Sequence, residues 1–196
     1  MSFYIIYDYI KMNRRIDAYN KVKQIERVAT TPMGDDNIKK YLPDTPIIVY
    51  SDLQKYRSIE DILPRDKSYA ILLYQDSPNS GHWVAVMRYN DVIEFFDSYG
   101  GKPDSQLKWV PQLRRRQLGI TDKYLSRLLD NTDLPVIYNK VKYQDGDPDV
   151  TTCGRHVVWR ILNMLKKNMD LKQYNKMMKG SGLPADLIVS EAVDDI

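Results

Sequence analysis

Three apolar segments in the middle of the chain predict three neighbouring β-strands. Residues 68–75 hold a short continuous apolar run, which is typical of a buried strand, and 82–89 and 92–97 form two further segments. The polar residues 76–81 predict a loop between the first two strands. The pair at 90–91, Asn-Asp, predicts a tight hairpin turn between the second and third, although it lacks the preferred glycine. The middle of the chain is therefore predicted to be an antiparallel sheet.

Segments with helical periodicity lie on both sides of these strands. Residues 13–29 carry an apolar residue at every third position, which predicts one apolar helix face made of Ile16, Tyr19, Val22, Ile25 and Val28. Residues 153–167 carry a similar face of Val157, Ile161, Leu162 and Leu165. Shorter helices are predicted at 34–42, 57–63, from 107 onward, and at 121–129, 171–179 and 184–193, and short strands at 46–50 and 136–143. Helices around a central, mostly antiparallel sheet predict an α+β fold.

Size and composition are those of one soluble globular domain. The chain has 196 residues, of which 43% are hydrophobic and 28% charged. We expect a single domain over 1–196, with a largely helical part at 1–65, a core at 68–167 and helices at 168–196. Because no apolar run approaches the roughly 20 residues of a membrane span, we expect no membrane partner. We also expect no signal peptide, since no basic region precedes a long apolar core.

Charge and cysteine content limit the partners and the compartment. The formal net charge is +3, and basic clusters occur at 114–116, 166–167 and 172–179. Such clusters permit weak contact with nucleic acid, but solvated helix faces are the simpler interpretation. Cys153 is the one cysteine, so no intramolecular disulfide can form. A reducing compartment is favoured, which would be the cytosol, the nucleus or a virus particle assembled there.

Cys153 begins the predicted helix at 153–167. The positive end of the helix dipole and the free N–H groups of the first turn favour a thiolate there. The same N–H groups can stabilise negative charge on a substrate carbonyl, and Gly154 lets the backbone come close to a substrate. A lone cysteine is more often a buried structural side chain. This position instead favours a thiol nucleophile whose partners lie elsewhere in the chain.

The predicted hairpin brings a histidine and a carboxylate together. With the turn at 90–91, opposed residues have numbers that sum to about 181. His82 then lies opposite Tyr99, and Asp97 is a diagonal neighbour within reach of the imidazole ring. Asp97 can therefore orient the ring and stabilise the imidazolium, as the third member of a catalytic triad does. Glu94 is the rival carboxylate, but it lies deeper along the strand.

Side-chain amides supply candidates for an oxyanion donor. Gln144 lies nine residues before Cys153, where its amide could act beside the Cys153 N–H. Asn139 and Gln75 are weaker candidates for the same role.

A second histidine follows the cysteine. His156 and Cys153 form a C-x-x-H pair on one helix, so His156 is a minor alternative base. The same pair with His82 as a third ligand suggests a metal. One cysteine and two histidines make a poor zinc set without a fourth ligand nearby, so we expect no metal. Local packing or capping is the simpler role for His156.

The order of these motifs resembles that of a group of cysteine peptidases. The group includes the adenovirus-type capsid-maturation protease (adenain) and the proteases of SUMO and ubiquitin-like proteins. The match covers roughly residues 69–167, and its segments are Gly81-His82-Trp83, Phe96-Asp97-Ser98-Tyr99-Gly100, Gln144 and Cys153-Gly154. Two spacings depart from the family's pattern. The fifteen residues from His82 to Asp97 are slightly fewer than usual, and the nine from Gln144 to Cys153 are more.

The resemblance implies a papain-like or adenain-like fold with the nucleophile at the N-terminus of a core helix. It also implies a narrow substrate channel that favours small residues, often glycine, just before the cut. The implied roles are nucleophile for Cys153, general base for His82, orienting acid for Asp97, oxyanion donor for Gln144, and substrate contact for Trp83 and Gly154.

The compact size favours the viral branch of this group, of adenovirus, virophage or large-DNA-virus type. Those enzymes cut capsid or core precursors during particle assembly. We therefore expect a cysteine endopeptidase with a protein substrate, located in the virion and in the host cytoplasm or nucleus. A SUMO- or ubiquitin-like-protein protease and a non-catalytic module that binds a peptide tail are the alternatives. No cofactor is expected, although some viral relatives use DNA or a peptide and the basic clusters permit such an activator.

Overall fold

The protein is described by a computed structural model that covers residues 16–17, 19–77 and 80–194, and its architecture confirms the predicted α+β fold. Helices flank a five-stranded sheet. The helices are α1 at 19–29, α2 Asp35–Tyr41, α3 Gln112–Gln117, α4 Tyr124–Asp130, α5 Cys153–Lys167, α6 Leu171–Gly180 and α7 Ala185–Ala192. The strands are β1 Ile47–Val49, β2 Ser68–Ser77, β3 Ser80–Tyr89, β4 Val92–Phe96 and β5 Val136–Tyr138. Short 3-10 helices occupy Tyr50–Lys55, Ile59–Asp61 and Ser105–Trp109.

The five strands lie in the order in which they occur in the chain, from β1 to β5. The central strands β2, β3 and β4 pair antiparallel, as predicted. The two short edge strands pair parallel, β1 with β2 and β5 with β4. The antiparallel part therefore makes up most of the sheet and contains the strand that carries His82.

A two-residue turn sets the register of β3 against β4. Asn90 and Asp91 both have left-handed backbone, with φ of 48° and 58°, a conformation that Asn and Asp tolerate better than other non-glycine residues. The hairpin pairs Ala85 with Phe96, which is the register predicted from the sequence. The missing glycine therefore does not prevent a tight turn.

The sheet separates two hydrophobic cores because successive side chains of a strand point to opposite faces. One face, which includes Ala85 of β3, packs against α2, α5, α6 and α7. The other face, which includes Val84, packs against α4 and the first two 3-10 helices. The longest helix, α5, lies on the first face, and its first residue is Cys153.

A buried ion pair fastens α5 to β4. Arg160 of α5 donates from Nε and Nη2 to the two carboxylate oxygens of Glu94, at 2.8 and 2.6 Å, and neither side chain is exposed. The Tyr89 hydroxyl donates to the same carboxylate, and Arg160 Nη1 donates to the Met169 carbonyl at 3.1 Å. These contacts fix the rotation and the position of α5 on the sheet. They also occupy Glu94, which therefore is not the carboxylate that orients His82.

The loop predicted at 76–81 is shorter than expected. β2 continues to Ser77 and β3 begins at Ser80, so His82 is the third residue of its strand rather than the first. The pairing continues to this point through an irregularity in register between Gln75 and Ser77.

The strand predicted at 136–143 is also shorter, since β5 ends at Tyr138. The side chain of Asn139 explains its end. Its amide nitrogen donates to the carbonyls of Asp97 and Val141 at 2.9 and 2.8 Å, and its oxygen accepts from the Val141 N–H at 2.8 Å. These local bonds replace the ladder that a longer strand would form.

The apolar face predicted for 13–29 is buried only at its C-terminal end. Val28 is fully buried, whereas Ile16, Tyr19 and Val22 are 47%, 62% and 50% exposed. Residues 13–15 and 18 lie outside the described part of the chain. Helical periodicity was therefore a correct guide to secondary structure here and a wrong guide to burial.

None of the helices within 16–17, 19–77 and 80–194 has both the length and the apolar character that crossing a bilayer requires.

Replacement of Glu94 by Gln should destabilise the protein by about 3–5 kcal/mol, because it leaves the buried Arg160 cation without a counter-charge. The free energy of unfolding in urea measures the loss. Glu191→Gln is the matched control, since it removes the same charge from an ion pair that is about half exposed and should change stability by about 0–1 kcal/mol. Equal stability of the two variants would contradict a structural role for the buried pair.

Candidate active site

The N-terminus of α5 presents Cys153 to the end of the β3–β4 hairpin. The backbone N–H groups of Trp83 and Gly154 both donate toward the Cys153 sulfur, and His82 hydrogen bonds to it through its ring. The sulfur is therefore surrounded by donors from a strand, from a helix terminus and from an imidazole. Such surroundings stabilise a thiolate.

His82 lies between Cys153 and Asp97. Its Nε2 is 2.7 Å from Oδ1 of Asp97, which leaves Nδ1 as the nitrogen for the thiol. The His82 side chain is 11% exposed and that of Asp97 is fully buried. The diagonal contact across the hairpin that the register predicted is thus present in the structure. The three residues form one continuous hydrogen-bonded series.

The Asp97 carboxylate is held by three donors besides His82. The Tyr99 N–H donates to Oδ1 at 3.0 Å, and the Gly101 N–H donates to Oδ2 at 3.1 Å. The Gln106 side-chain amide donates to Oδ2 at 2.6 Å. A side chain at Gly101 would meet both Asp97 and Gln106 at under 3 Å, so glycine is required for this close packing.

These contacts shift the protonation of all three groups toward the charged forms. Burial by itself opposes each charge. The pKa of His82 is nevertheless raised to about 9, because Asp97 and Cys153 favour the imidazolium. The pKa of Cys153 is lowered by the hydrogen bond and the charge of His82 and by the Trp83 and Gly154 N–H groups. The pKa of Asp97 is lowered chiefly by His82. The contacts therefore favour the thiolate of Cys153 together with the imidazolium of His82.

A cleft of about 1150 Å³ opens over these residues. Tyr99 stacks on the His82 ring with centroids 5.1 Å apart, and Trp109 meets the same ring edge-on at 5.4 Å. The two aromatic rings limit the movement of the imidazole. Trp109 is 43% exposed, so it also offers an apolar surface at the cleft.

The C-terminal end of α1 and the segment between α1 and α2 lie beside the cleft, and Met33 of that segment lines it. The Trp83 indole N–H donates to the Met33 carbonyl at 2.9 Å, and the Thr151 N–H donates to the Ala29 carbonyl at 2.9 Å. A Cβ at Gly154 would lie 3.0 Å from Met33 Cβ and 3.3 Å from Trp83 Cδ1. Trp83 lines the cleft, while the α-carbon of Gly154 faces Met33 and Trp83. Substrate contact by Trp83 and Gly154 stays a prediction.

Gln144 is buried at the edge of the same cleft. Its side-chain nitrogen donates to the Val150 carbonyl at 2.9 Å, and because a carbonyl can only accept, this contact identifies the nitrogen end of the amide. Its side-chain oxygen accepts from the Ser98 hydroxyl at 2.8 Å. An amide nitrogen carries two hydrogens, so one N–H remains for a ligand in the cleft. Its use as an oxyanion donor stays a prediction.

The weaker candidates are placed differently. Both amide hydrogens of Asn139 are used by backbone carbonyls, so Asn139 is not suited to hold an oxyanion. Gln75 lies in β2 opposite Gly81. His156 is fully buried and its Nε2 is 3.0 Å from Asp186 Oδ1, so it packs internally, as expected.

No group of three or more His, Cys, Asp or Glu side chains in the described ranges has the arrangement of a metal site.

Sequence reasoning missed three residues that shape this site: Gln106, Tyr99 as a stacking partner, and Trp109. The predicted register already placed Tyr99 opposite His82, so that contact could have been found. Gln106 and Trp109 lie on a 3-10 helix whose return to the hairpin has no sequence signal.

Comparison with known proteins places the chain in a family. No family model matches it. The uncharacterized protein V9 of Sputnik virophage is 35% identical over 158 residues, which cover 80% of this chain and 86% of V9. The chain therefore belongs to the same family as V9.

Two solved structures are distant neighbours of the chain. The superposition on the pS273R protease of ASFV covers 84% of this chain and 67% of the protease chain, with 15% identity and a TM-score of 0.46. The superposition on the SUMO protease Ulp1 covers 88% of this chain and 84% of the Ulp1 chain, with 18% identity and a TM-score of 0.39.

The thiol of Cys153 should react with iodoacetamide as a thiolate at a pH below the ordinary titration range of cysteine. His82→Ala should shift the midpoint of this reaction to higher pH. Burial raises the pKa of Cys153, and the variant lacks the hydrogen bond and the charge of His82 that lower it. Mass spectrometry of the alkylated protein over a range of pH measures both midpoints. Protein unfolded in urea is the control, and its one cysteine should titrate at the ordinary value. A midpoint that is the same in folded and unfolded protein would exclude an activated thiol.

Proposed function

We propose that this member of the V9 family is a cysteine endopeptidase. The observation that carries the proposal is the hydrogen-bonded series Cys153–His82–Asp97 at an open cleft. A thiolate beside an imidazolium is the ground state from which thiol proteases act. A cysteine with only a packing role would not require a neighbouring imidazolium, because burying the two charges is costly.

In the proposed reaction the Cys153 thiolate attacks the carbonyl carbon of the scissile peptide bond. The carbonyl oxygen becomes an oxyanion, which accepts from the Cys153 N–H and the remaining N–H of Gln144. The His82 imidazolium then gives its proton to the leaving amine, and the C–N bond breaks to leave a thioester. A water molecule then gives a proton to His82 and hydrolyses the thioester, which restores the Cys153 thiolate and the His82 imidazolium. Asp97 keeps the imidazole oriented throughout.

A protein substrate in the V9 family's viral setting is the second part of the proposal. We infer that the enzyme cuts precursors of virion structural proteins, in the virion and in the host cytoplasm or nucleus. The 35% identity to a virophage protein supports the viral setting. The close packing of Met33 and Trp83 against Gly154, the residue after Cys153, supports a preference for small residues before the cut. A SUMO- or ubiquitin-like-protein substrate is the alternative within the same chemistry. We propose no cofactor, and a DNA or peptide activator is the alternative.

The substitution Cys153→Ala should abolish cleavage and leave the fold intact, because it removes the nucleophile while the buried Asp97 carboxylate keeps its contact with His82. Mapping of new N-termini in infected cells or in mixtures of virion precursors, with wild-type enzyme against Cys153→Ala, identifies the substrates. SUMO and ubiquitin fluorophore conjugates test the alternative substrate class. Cleavage by the alanine variant at the wild-type rate would refute a thiol mechanism.

The pH dependence of kcat/KM should be bell-shaped. On the acidic side, activity should appear as the Cys153 thiol loses its proton, at a pH below the ordinary pKa of a cysteine. On the basic side, activity should be lost as the His82 imidazolium loses its proton near pH 9. Asp97→Asn removes the charge that stabilises the imidazolium, so the basic limb should move to lower pH. It should also reduce kcat by roughly 10²–10⁴-fold. Glu191→Gln is the charge-matched control with an unchanged profile. A wild-type profile in Asp97→Asn would assign the orienting role to another group.

A further inference from the structure

Asp186 lies in the first turn of α7 and accepts three hydrogen bonds from other parts of the chain. The Asp145 N–H donates to Oδ2 at 2.9 Å, His156 Nε2 lies 3.0 Å from Oδ1, and the Thr152 hydroxyl also donates to Oδ1. The carboxylate side chain is 13% exposed. Burial raises its pKa, but the bonds from His156 and Thr152 outweigh burial and lower it, so the group is ionised.

The three donors are adjacent to the groups that the mechanism uses. Asp145 directly follows Gln144, and Thr152 directly precedes Cys153. His156 lies one turn into α5, and its ring stacks on Tyr143 with centroids 6.1 Å apart. The first and the last residue of loop 145–152 therefore both donate hydrogen bonds to Asp186. One carboxylate joins both ends of the segment that separates the nucleophile from the proposed oxyanion donor.

Gln144 is held from its other side by Ser98, which lies two residues past the end of β4. The Ser98 carbonyl accepts from the Gln144 N–H at 3.1 Å, and the Ser98 hydroxyl donates to the Gln144 side chain at 2.8 Å. The direction of the free amide N–H of Gln144 thus depends on Ser98 and on where the loop places Val150 and Asp145.

We propose that Asp186 is a positioning residue that holds the two ends of loop 145–152, so that the Gln144 amide and the Cys153 thiolate face the same carbonyl group. This inference rests on the proposed peptidase function. Asp186 touches neither substrate nor sulfur, and it acts through Asp145 and Thr152. A carboxylate suits the task because it accepts three bonds on two oxygens, whereas an asparagine offers one oxygen. Displacement of a catalytic group by about 1 Å can reduce a rate by roughly 10²-fold.

The test compares Asp186→Asn with Glu191→Gln, which neutralises a half-exposed carboxylate on the same helix. Asp186→Asn should lower kcat on a peptide substrate by about 10- to 100-fold, with KM changed by less than about threefold, at a temperature where it is fully folded. The control should retain wild-type kcat. Hydrogen exchange should become faster within 145–152 in Asp186→Asn and remain unchanged in the control.

A double-variant cycle separates positioning from general stability. If Asp186 acts through Gln144, then Gln144→Ala should reduce kcat far less in the Asp186→Asn background than in the wild type. Fully additive effects would overturn the proposal, as would a kcat for Asp186→Asn equal to that of Glu191→Gln.

Two further measurements keep the test decisive. Thr152→Val keeps the carboxylate and the side-chain shape and removes one donor, so it should lower kcat by about 3- to 10-fold even if Asp186→Asn does not fold. Wild-type kcat in Thr152→Val would count against the proposal. If the wild-type enzyme cleaves nothing, the proposed function fails, and unchanged exchange in 145–152 of Asp186→Asn would separately refute the loop contact.

Discussion

The docking of α5 on the sheet is the constraint on which the rest of the site depends. The buried pair of Arg160 and Glu94 sets the rotation of the helix, because a charge in a buried position must keep its partner. Seven residues before Arg160, the helix begins with Cys153, so the same docking fixes where the thiol meets β3. A charged pair in the core thus specifies the position of a reactive group at its edge.

The hairpin between β3 and β4 provides the second part of this geometry. Its left-handed turn at 90–91 fixes the register, and the register places His82 diagonally from Asp97. The imidazole then has one nitrogen for the carboxylate and one for the thiol. Burial would suppress the charges on each group taken singly, but the arrangement in series stabilises them together.

The remaining contacts come from segments that are distant in sequence and that pack beside the site. Met33, between α1 and α2, accepts a bond from Trp83, Ala29 at the end of α1 accepts one from Thr151, and Asp186 of α7 accepts one from Asp145. Residues 29–33 and α7 therefore both support the candidate site, although neither segment carries a residue of the series Cys153–His82–Asp97. Their removal or displacement would act on the site through position rather than through chemistry.

The sequence by itself determined most of the helices and strands, the hairpin register, and the order of Cys153, His82 and Asp97. These depend on local periodicity and on a two-residue turn, which short stretches of chain specify on their own. Only the tertiary structure decided that Glu94 pairs with Arg160 in the core, that the early face of α1 is exposed, that Gln106 contacts Asp97, and that Asp186 contacts Asp145 and Thr152. Those outcomes depend on which distant segments pack together. Local sequence patterns do not predict this packing, because a buried polar side chain meets its hydrogen-bond partner only when the chain has folded.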